Sequence, residues 1–419
     1  MVNSFTRTST QTLAALDIGS SKVCCLIAHI DRNKKVEIIG SGYNESKGIK
    51  NGIVTDINEA TLSVCNAVET AEQAANERIN RVIINISGEK IAATTRNGII
   101  NLHKNRAIND SDIEKLIAKI NSKLNIADNE LIHCIPTNYR VDKGAPTKDP
   151  RNIFGETLSL DMLMGVYPAI LYKNLYGVIE NAHLEVAEKA FSAYASALAC
   201  LVDDEKELGA TVIDIGGGLT SMVTFKNGFP VNFSTIPLGG KNITNDIAWV
   251  LTTSFAHAED LKIRHGFGFL ISQDENETIN VYPVGEEDDN SIRTIKKSEL
   301  IEIISARLEE IFKMVKAKLD EQGLKDITNH RIVLTGGTSQ LPGICNVASL
   351  ILDKQVRIGI PRNIPNIPKN LYAPTFSTAL GMLLFALNYN ERKPAKTIGR
   401  PSADLGNFSK IFNWFKQNF

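Results

Sequence analysis

The chain has 419 residues, a length that predicts two or more domains, each with its own hydrophobic core. Its hydrophobic content of 43%, charged content of 22% and formal net charge of -1 are those of an ordinary globular protein, without a basic field that would attract nucleic acid. No segment has the roughly 18 consecutive apolar residues that a transmembrane helix needs. The six cysteines lack CxxC spacing and the seven histidines form no HxxxH or HExxH pair, so neither a cysteine- or histidine-ligated metal site nor a disulfide framework is indicated.

One pattern occurs twice, far apart in the chain. LAALDIGSSKVCCLIAHI at 13–30 and ATVIDIGGGLTSMVTFKNG at 210–228 each consist of an apolar strand, an Asp-Ile-Gly turn and a second strand. Each segment predicts a β-hairpin, and the repetition predicts two duplicated α/β halves instead of a short-period solenoid. For either segment alone, the alternative is a tight turn that needs glycine only for its backbone angles.

The turns of these hairpins carry residue types that bind Mg²⁺ and phosphate. Asp17 and Asp214 end their strands, where a carboxylate can hold a hydrated Mg²⁺ ion. Ser20, Ser21 and Lys22 supply hydroxyls and a cation in the first turn. The second turn offers exposed N–H groups and a hydroxyl from Gly216, Gly217, Gly218 and Thr220. Two such hairpins facing each other predict a clamp on nucleotide phosphates, although neither has the GxxxxGK[ST] pattern of a P-loop.

Two further segments bear on the site and its surroundings. RIVLTGGTSQLPGI at 331–344 predicts a strand, a Gly-Gly turn and the start of a helix, a geometry that admits a nucleoside close to the backbone. The segment 85–163 predicts a small α+β module around one amphipathic helix, SDIEKLIAKINSKL at 111–124, with Ser111 as its cap and Glu114 three residues later. Helical spacing of apolar residues predicts another long helix at 298–323.

The end of the chain predicts a membrane anchor. Residues 389–403 are polar, basic and interrupted by proline, which is typical of a flexible linker. Residues 404–419 predict a short amphipathic helix that binds anionic lipid, whose alternative is a terminal helix docked on the protein's own core. Its membrane-facing residues are Phe408, Ile411, Phe412, Trp414, Phe415 and Phe419, with Lys410 and Lys416 beside them.

The two Asp-Ile-Gly hairpins and the LTGG turn resemble the phosphate and adenosine motifs of the actin, Hsp70 and sugar kinase superfamily. The chain further resembles the FtsA family of bacterial cell-division proteins in VIDIGGG at 212–218, AHAEDLKIRHG at 256–266, VLTGGTSQLPG at 333–343, VRIGIP at 356–361 and FSTALGMLL at 376–384. This resemblance implies an α/β, actin-like two-domain ATPase fold with duplicated five-stranded sheets, a small α+β insertion of the 1C type and a C-terminal amphipathic helix. It also implies ATP and Mg²⁺ in the cleft between the domains.

Individual residues acquire roles from the resemblance. The phosphate-binding residues are Asp17, Gly19, Ser20, Ser21, Lys22, Asp214, Gly216, Gly217, Gly218 and Thr220. The adenosine-binding residues are Gly240, Glu259, Lys262, Gly336, Gly337 and Ser339. Mg²⁺ is expected near Asp17 and Asp214, mainly through water. Ser20 and Ser21 stand where the family usually has two threonines, and both keep the hydroxyl. Without the resemblance, Glu259 and Lys262 are an exposed i,i+3 ion pair.

The resemblance also divides the chain. It implies subdomain 1A at 1–84 and 164–195, subdomain 1C at 85–163, subdomain 2A at 196–240 and 322–388, and subdomain 2B at 241–321, followed by the linker and the helix. Subdomain 1C is expected to contact the next subunit of a filament and other division proteins. Subdomain 2B is expected to bind the tail of FtsZ, for which Arg307 is a candidate contact; the alternative for Arg307 is a solvated surface residue.

The implied function is that of a peripheral protein on the cytoplasmic face of the inner membrane at the division site. It would bind ATP, polymerise, anchor FtsZ filaments and help to recruit later division proteins for septum formation, with slow or no hydrolysis, because no catalytic residue stands out in the sequence. Two alternatives remain open at this point. One is an actin-fold scaffold of pilus assembly similar to PilM, and the other is a small-molecule kinase of the same superfamily.

Overall fold

The computed structural model describes residues 11–33, 35–103, 106–122, 126, 128–270, 277–285, 292–324 and 331–390. The helix predicted at 404–419, and all but the first two residues of the linker predicted at 389–403, lie outside these ranges. Within the described ranges, no helix combines the length and the apolar character needed to cross a membrane.

The secondary structure alternates between strands and helices in both halves of the chain. The first half contains β1 (Gln11–Ile18), β2 (Lys22–Ile30), β3 (Val36–Glu45), β4 (Ile49–Lys50), β5 (Ile53–Val54), α1 (Ile57–Ala75), β6 (Arg81–Ile86), β7 (Ala92–Asn101), α2 (Asp110–Asn121), β8 (Asn129–Val141), β9 (Thr157–Pro168), α3 (Ala169–Asn181), β10 (Glu185–Phe191) and α4 (Ser192–Cys200). The second half contains α5 (Asp203–Leu208), β11 (Ala210–Ile215), β12 (Thr220–Lys226), β13 (Phe229–Ile236), α6 (Gly240–Val250), α7 (Phe255–His265), β14 (Thr278–Val281), β15 (Arg293–Lys296), α8 (Lys297–Glu321), β16 (Arg331–Thr335), α9 (Ile344–Leu352), β17 (Val356–Ile358) and α10 (Ser377–Asn390).

Two five-stranded sheets share one topology, which confirms the predicted duplication. The first sheet has the order β10-β6-β1-β2-β3 and the second has the order β17-β16-β11-β12-β13. In each sheet three strands form an antiparallel meander, a fourth strand pairs in parallel with the first strand of the meander, and a fifth pairs in parallel with the fourth. The central strands β1 and β11 are buried at their carboxyl ends, as expected for strands with helices on both faces of the sheet. The two Asp-Ile-Gly turns therefore occupy equivalent positions in the two sheets.

The segment between β6 and α3 is a separate small module. Its sheet has the order β7-β9-β8, and α2 packs on it through Ile113, Leu116 and Ile120. An insertion of α+β type is confirmed by this arrangement. Strand β9 crosses the boundary that was expected between residues 163 and 164, because it runs without a break from Thr157 to Pro168.

The predicted cap of α2 is wrong. The helix begins at Asp110, and its N-cap is Asn109, which adopts an extended backbone conformation. The Asn109 side chain accepts a hydrogen bond from the Asp112 N–H at 3.3 Å, and the Asp112 carboxylate accepts one from the Asn109 N–H at 3.2 Å. Arg106 fixes that carboxylate with two hydrogen bonds of 2.6 and 2.7 Å. Ser111 and Glu114 therefore lie inside the helix, two positions beyond the residues that cap it.

Helices α4 and α10 lie between the two large sheets. Helix α4 connects β10 of the first sheet with the second half of the chain, and all but two of its nine residues are buried. Helix α10 follows the second sheet in the chain, yet its apolar residues pack on β1, β2 and β6 of the first sheet. At Gly381 the two helices are so close that a Cβ atom would lie 1.8 Å from the Ala195 carbonyl oxygen. This helix pair connects the two halves of the molecule.

The helices α6, α7 and α8 and the hairpin of β14 and β15 form the outer part of the second half. The long helix predicted at 298–323 is confirmed by α8, which spans Lys297–Glu321. Its buried face comprises Leu300, Ile301, Ile304, Leu308, Ile311, Phe312, Val315 and Leu319, whereas Ile303 is only partly buried. The buried residues recur at helical spacing, as the apolar pattern predicts.

Candidate functional site

The turns of the two hairpins face each other across a cleft. The predicted hairpins are confirmed, since β1 pairs with β2 and β11 pairs with β12, both in antiparallel fashion. Both turns are closed by the same hydrogen bond, from the Gly19 N–H to the Lys22 carbonyl at 3.0 Å and from the Gly216 N–H to the Leu219 carbonyl at 2.9 Å. Between them lies a cavity of about 190 Å³. Of the predicted phosphate-binding residues, it is lined by Asp17, Gly19, Ser20, Ser21, Lys22, Asp214, Gly216, Gly217 and Gly218.

Asp214 is held in place by hydroxyl groups from both interdomain helices. Its Oδ2 atom accepts hydrogen bonds from Ser196 Oγ of α4 at 2.6 Å and from Thr378 Oγ1 of α10 at 3.0 Å. Burial raises the pKa of Asp214, and these two hydrogen bonds oppose that effect. Its Oδ1 atom lies against Gly336, where a Cβ would approach it to 2.3 Å. The carboxylate is therefore fixed in orientation at the floor of the cavity.

Asp17 has a different environment. Asp17 is largely buried, with only 9% of its surface exposed, yet its carboxylate receives no hydrogen bond from the residues that the structure describes. The pKa of Asp17 is raised to about 7, mainly by burial; the charge of Lys22 opposes this shift and the carboxylate of Asp214 adds to it. Two desolvated carboxylates in one cavity, one of them without a protein donor, suit a divalent cation. Mg²⁺ usually keeps several waters and needs only one or two carboxylates, so this pair fits it.

Lys22 is bound to the segment that precedes α10. Its Nζ atom donates hydrogen bonds to the carbonyl oxygen of Thr375 at 2.7 Å and to its hydroxyl at 3.0 Å. The same ammonium group lies 3.9 Å from the centroid of the Phe376 ring, within the range of a cation–π interaction. Lys22 thus lines the cavity, and its ammonium group is bound by neutral groups.

A larger pocket adjoins the phosphate cavity. Its volume is about 980 Å³, and it shares Ser21, Gly217 and Gly337 with the smaller cavity. Glu259 and Lys262 line this pocket and form an ion pair of 2.7 Å. Lys262 is only 13% exposed, because its Nζ also donates to the Gly240 carbonyl at 3.1 Å and to Thr244 Oγ1 at 2.8 Å. The pair is therefore part of a network in the pocket wall and not merely an exposed surface pair.

The Gly-Gly turn closes this pocket from the other side. Gly336 has a φ of 84°, which glycine adopts without strain, and residues Gly337–Gln340 form a 3₁₀ turn. Thr338 Oγ1 donates to the Gly216 carbonyl at 3.0 Å and so ties this turn to the second phosphate turn. The pocket thus lies between two glycine-rich turns and α7.

Two predicted site residues do not line either cavity. Thr220 is fully buried, and its hydroxyl donates to the Leu238 carbonyl at 2.9 Å. Ser339 is also buried, and its hydroxyl donates to the Gly336 carbonyl at 2.7 Å. Both hydroxyls stabilise the turns to which they belong. Any contact of theirs with a ligand remains a prediction.

Arg307 is not a free surface cation. Its guanidinium donates to the Asp246 carboxylate at 2.5 and 2.8 Å and also contacts Glu310. These carboxylates raise the pKa of Arg307 above its usual range. An acidic peptide would have to share the guanidinium with Asp246, so its role in partner binding remains a prediction.

Several residues of the site were missed by the sequence analysis. Asn85 of β6 accepts a hydrogen bond from the Ile18 N–H at 2.7 Å and donates to Ser192 Oγ at 3.1 Å, which fixes the end of β1 below the first turn. Its signal in the sequence is a lone asparagine in the apolar strand RVIINI, where a buried amide needs partners. The other missed residues are Ser196, Lys241, Thr375 and Thr378.

The duplicated sheets with a ligand-sized cleft between them define the class of the protein as an actin-like α/β fold. Similar solved structures show the same fold. A PilM-PilN type IV pilus biogenesis complex matches with a TM-score of 0.62 and 15% identity, covering 90% of this chain and 98% of that chain. MreB5 of Spiroplasma citri matches with a TM-score of 0.54 and 13% identity, covering 90% of this chain and 95% of that chain.

Sequence relatives define the family more closely. The model of cell division protein FtsA matches residues 211–381, and the model of the SHS2 domain inserted in FtsA matches residues 88–165. The chain is 34% identical to cell division protein FtsA of Rhizobium meliloti over 97% of this chain and 95% of that relative, and 29% identical to FtsA of Escherichia coli over 98% and 99%. The chain belongs to the FtsA family of cell-division proteins.

Proposed function

We propose that this chain is an ATP-binding, actin-like cell-division protein that polymerises on the cytoplasmic face of the inner membrane and anchors FtsZ filaments there. The observation that carries the nucleotide part is the pair of equivalent hairpin turns that face one cavity, with the Asp17 carboxylate unpartnered among the described residues. Family membership favours cell division over the pilus-assembly and kinase alternatives.

The two adjoining cavities fit the parts of a nucleotide. The smaller one offers backbone N–H groups of the glycine-rich turn and the ammonium group of Lys22, which suit phosphate oxygens. The larger one lies beside Glu259 and Lys262 and is wide enough for a nucleoside. Bound Mg²⁺ would neutralise phosphate charge beside Asp17 and Asp214. MreB5 of Spiroplasma citri, which has a similar fold, has been solved bound to ADP and bound to AMPPNP, and this supports a nucleotide as the ligand.

Residues from both halves line the cleft, so a bound nucleotide would favour the closed arrangement. Ser20 and Ser21 belong to the first half, and Gly216 and Gly217 belong to the second. A ligand that contacts both turns binds only when they are close together. Nucleotide binding therefore acts in this proposal as a switch toward the form that polymerises, and fast hydrolysis is not required.

The membrane part of the proposal depends on the sequence of the C-terminal segment. On one face of the predicted terminal helix, five large apolar side chains, Phe408, Ile411, Phe412, Phe415 and Phe419, would contribute about 1.5 to 3 kcal/mol each when fully buried, with Trp414 at the border of that face. Ordering the helix opposes this by about 1 to 2 kcal/mol for each residue, so a single tail binds weakly. Many tails on one filament act together through their high effective concentration. Polymerisation and membrane attachment thereby support each other.

The nucleotide part is tested by calorimetry of Mg-ATP binding to Asp214→Ala. The variant removes the fixed carboxylate of the second turn, so we expect binding to become undetectable. Asp203→Ala is the control, because Asp203 is 95% exposed at α5, outside both cavities, and pairs only with Lys206 among described residues. Unchanged affinity of Asp214→Ala would overturn the site.

The membrane part is tested by sedimentation with anionic vesicles. The full chain and a version that ends at Asn390 are each centrifuged with and without Mg-ATP. We expect only the full chain to pellet with the vesicles, and more of it with Mg-ATP, because polymerisation links tails together. If neither version pellets under any condition, the terminal segment does not anchor the protein to a membrane, and the tethering role is wrong.

A further inference from the structure

Lys241 crosses the cleft at the boundary between the two cavities. It is the second residue of α6, and its backbone N–H donates to the Gly217 carbonyl of the second phosphate turn at 2.7 Å. Its Nζ atom donates to the Ser20 carbonyl of the first phosphate turn at 2.6 Å. The side chain lines the larger pocket together with Ser21 and Gly217, which also line the phosphate cavity. Lys241 is thus fixed to one turn and reaches the other.

The charge of Lys241 is not compensated by a carboxylate. Lys262, on the same pocket wall, is paired with Glu259 at 2.7 Å. Lys22 acts electrostatically on Asp17 and Asp214. Among the described residues, no carboxylate lies within ion-pair distance of Lys241. Glu45 lines the same pocket, but within the described residues it forms no ion pair with Lys241.

A neutral carbonyl is a weaker partner for an ammonium group than an anionic oxygen, because charge-assisted hydrogen bonds between two ions are the stronger ones. The Ser20 carbonyl belongs to a turn that already faces the phosphate cavity. An anion bound between the two turns would therefore contact Lys241, which lies where the phosphate cavity adjoins the larger pocket. Phosphate oxygens have the required charge and geometry.

We propose that Lys241 is a phosphate-binding residue, whose Nζ exchanges the Ser20 carbonyl for oxygens of the phosphate chain of a nucleotide. This inference depends on the proposed nucleotide function and adds a residue that grips the phosphates from α6. In the structure the Lys241–Ser20 bond joins the two halves directly. In the bound form the phosphate chain replaces that bond as the connection between them.

The experiment compares the affinities of ATP and adenosine for the full chain and for Lys241→Gln, by displacement of a fluorescent ATP analogue and by calorimetry. Removing one charged contact should weaken ATP binding about tenfold and leave adenosine binding within about twofold. ATP affinity should also fall less steeply with added NaCl in the variant, because one screened contact is missing. Lys241→Arg, which keeps the charge, should restore most of the ATP affinity.

Lys316→Gln is the matched control. Lys316 also donates from Nζ to a backbone carbonyl, that of Ile351 at 2.9 Å, but it lies on α8 and lines neither cavity. This variant should bind ATP as the unaltered chain does. Thermal unfolding of each variant verifies that it is folded.

Three results would overturn the inference. If Lys241→Gln binds ATP with unchanged affinity and salt dependence, Lys241 does not contact phosphate. If ATP and adenosine affinities fall together, Lys241 acts only by joining the two halves. If the unaltered chain binds no ATP, the nucleotide function fails as well, and this result is distinguished from the other two by the first titration.

Discussion

Gly217 and Ser21 meet across the cleft so closely that a Cβ atom at Gly217 would lie 1.8 Å from Ser21 Oγ. Real Cβ atoms do not approach other heavy atoms to this distance, so any side chain at Gly217 must displace the first turn. The absence of a side chain at Gly217 therefore determines how closely the two hairpins can approach each other. The serine hydroxyl occupies the space that glycine leaves.

We predict that Gly217→Ala weakens ATP binding by about tenfold or more, because the two turns can no longer reach the same phosphates. Titration with a fluorescent nucleotide measures the effect. Gly177→Ala on α3 is the control, since Gly177 lines neither cavity and nothing lies within 4 Å of its added Cβ. Equal affinities of the two variants would show that the close approach is not needed for binding.

The buried side chain of His133 makes the stability of the fold depend on pH. Its Nε2 accepts a hydrogen bond from the Phe191 N–H at 2.9 Å, and the ring lies among Tyr194, Phe233 and Phe385. The pKa of His133 is lowered to about 3, mainly by burial and in part by the charge of Lys189. The unfolded chain, with an ordinary histidine pKa near 6.5, therefore binds a proton that the folded chain rejects between about pH 6.5 and 3.

The contribution of His133 to the free energy of unfolding is therefore fully present above pH 6.5 and is lost as the pH falls toward 3. At pH 5 the loss from this residue alone is about 2 kcal/mol relative to pH 8. His133→Gln keeps an acceptor for the Phe191 N–H and does not titrate. Urea unfolding of both proteins at pH 8 and pH 5 should show a smaller pH effect in the variant, and an identical pH effect would contradict the assignment.

Gly381 allows α10 to lie directly on α4. We predict that Gly381→Ala destabilises the fold by about 1 to 3 kcal/mol, because its Cβ would overlap the Ala195 carbonyl oxygen. ATP affinity should fall too, since Thr378 and Ser196 on these helices hold Asp214. Gly177→Ala on α3 is the control, because nothing lies within 4 Å of its added Cβ and alanine favours the helix. Thermal unfolding and nucleotide titration measure both effects.

Arg307 and Asp246 offer a test of partner binding in the outer part of the second half. If a carboxylate of the FtsZ tail binds Arg307, it competes with Asp246, which holds the guanidinium at 2.5 and 2.8 Å. We predict that Asp246→Asn strengthens binding of the tail peptide about threefold and that Arg307→Ala weakens it about tenfold, as expected for a charged hydrogen bond. Fluorescence anisotropy of a labelled peptide measures both. Opposite or absent changes would place the peptide elsewhere.

The hairpins and the Gly-Gly turn were predictable because their signals are local. Each consists of consecutive residues whose types determine one turn, and the second copy of the pattern revealed the duplication. Asn85, Ser196 and Thr378 could not be predicted in the same way. Each is a polar residue in a mostly apolar segment, and its partner lies in a different element of the fold, 164 residues away in the case of Thr378 and Asp214.

The cap of α2 shows a different limit. Asn109, Ser111, Asp112 and Glu114 together contain two overlapping capping patterns, and the sequence alone does not choose between them. Arg106 decides the choice, because its bidentate bond to Asp112 makes that carboxylate the one available to the Asn109 N–H. Arg106 lies before the capping pattern in the sequence, so the start of the helix is decided by a neighbouring residue and not by helix propensity.

The contact between α4 and α10 has a mechanical consequence. The chain passes from the first sheet to the second through α4, and it returns to the first sheet with α10. Both passages lie side by side, in contact where Gly381 meets Ala195. Within the described residues the chain crosses between the two large sheets through this helix pair, so we expect the halves to open by a rotation about an axis along it. Asp214, bonded to both helices, lies near that axis, whereas residues farther from it move through larger arcs.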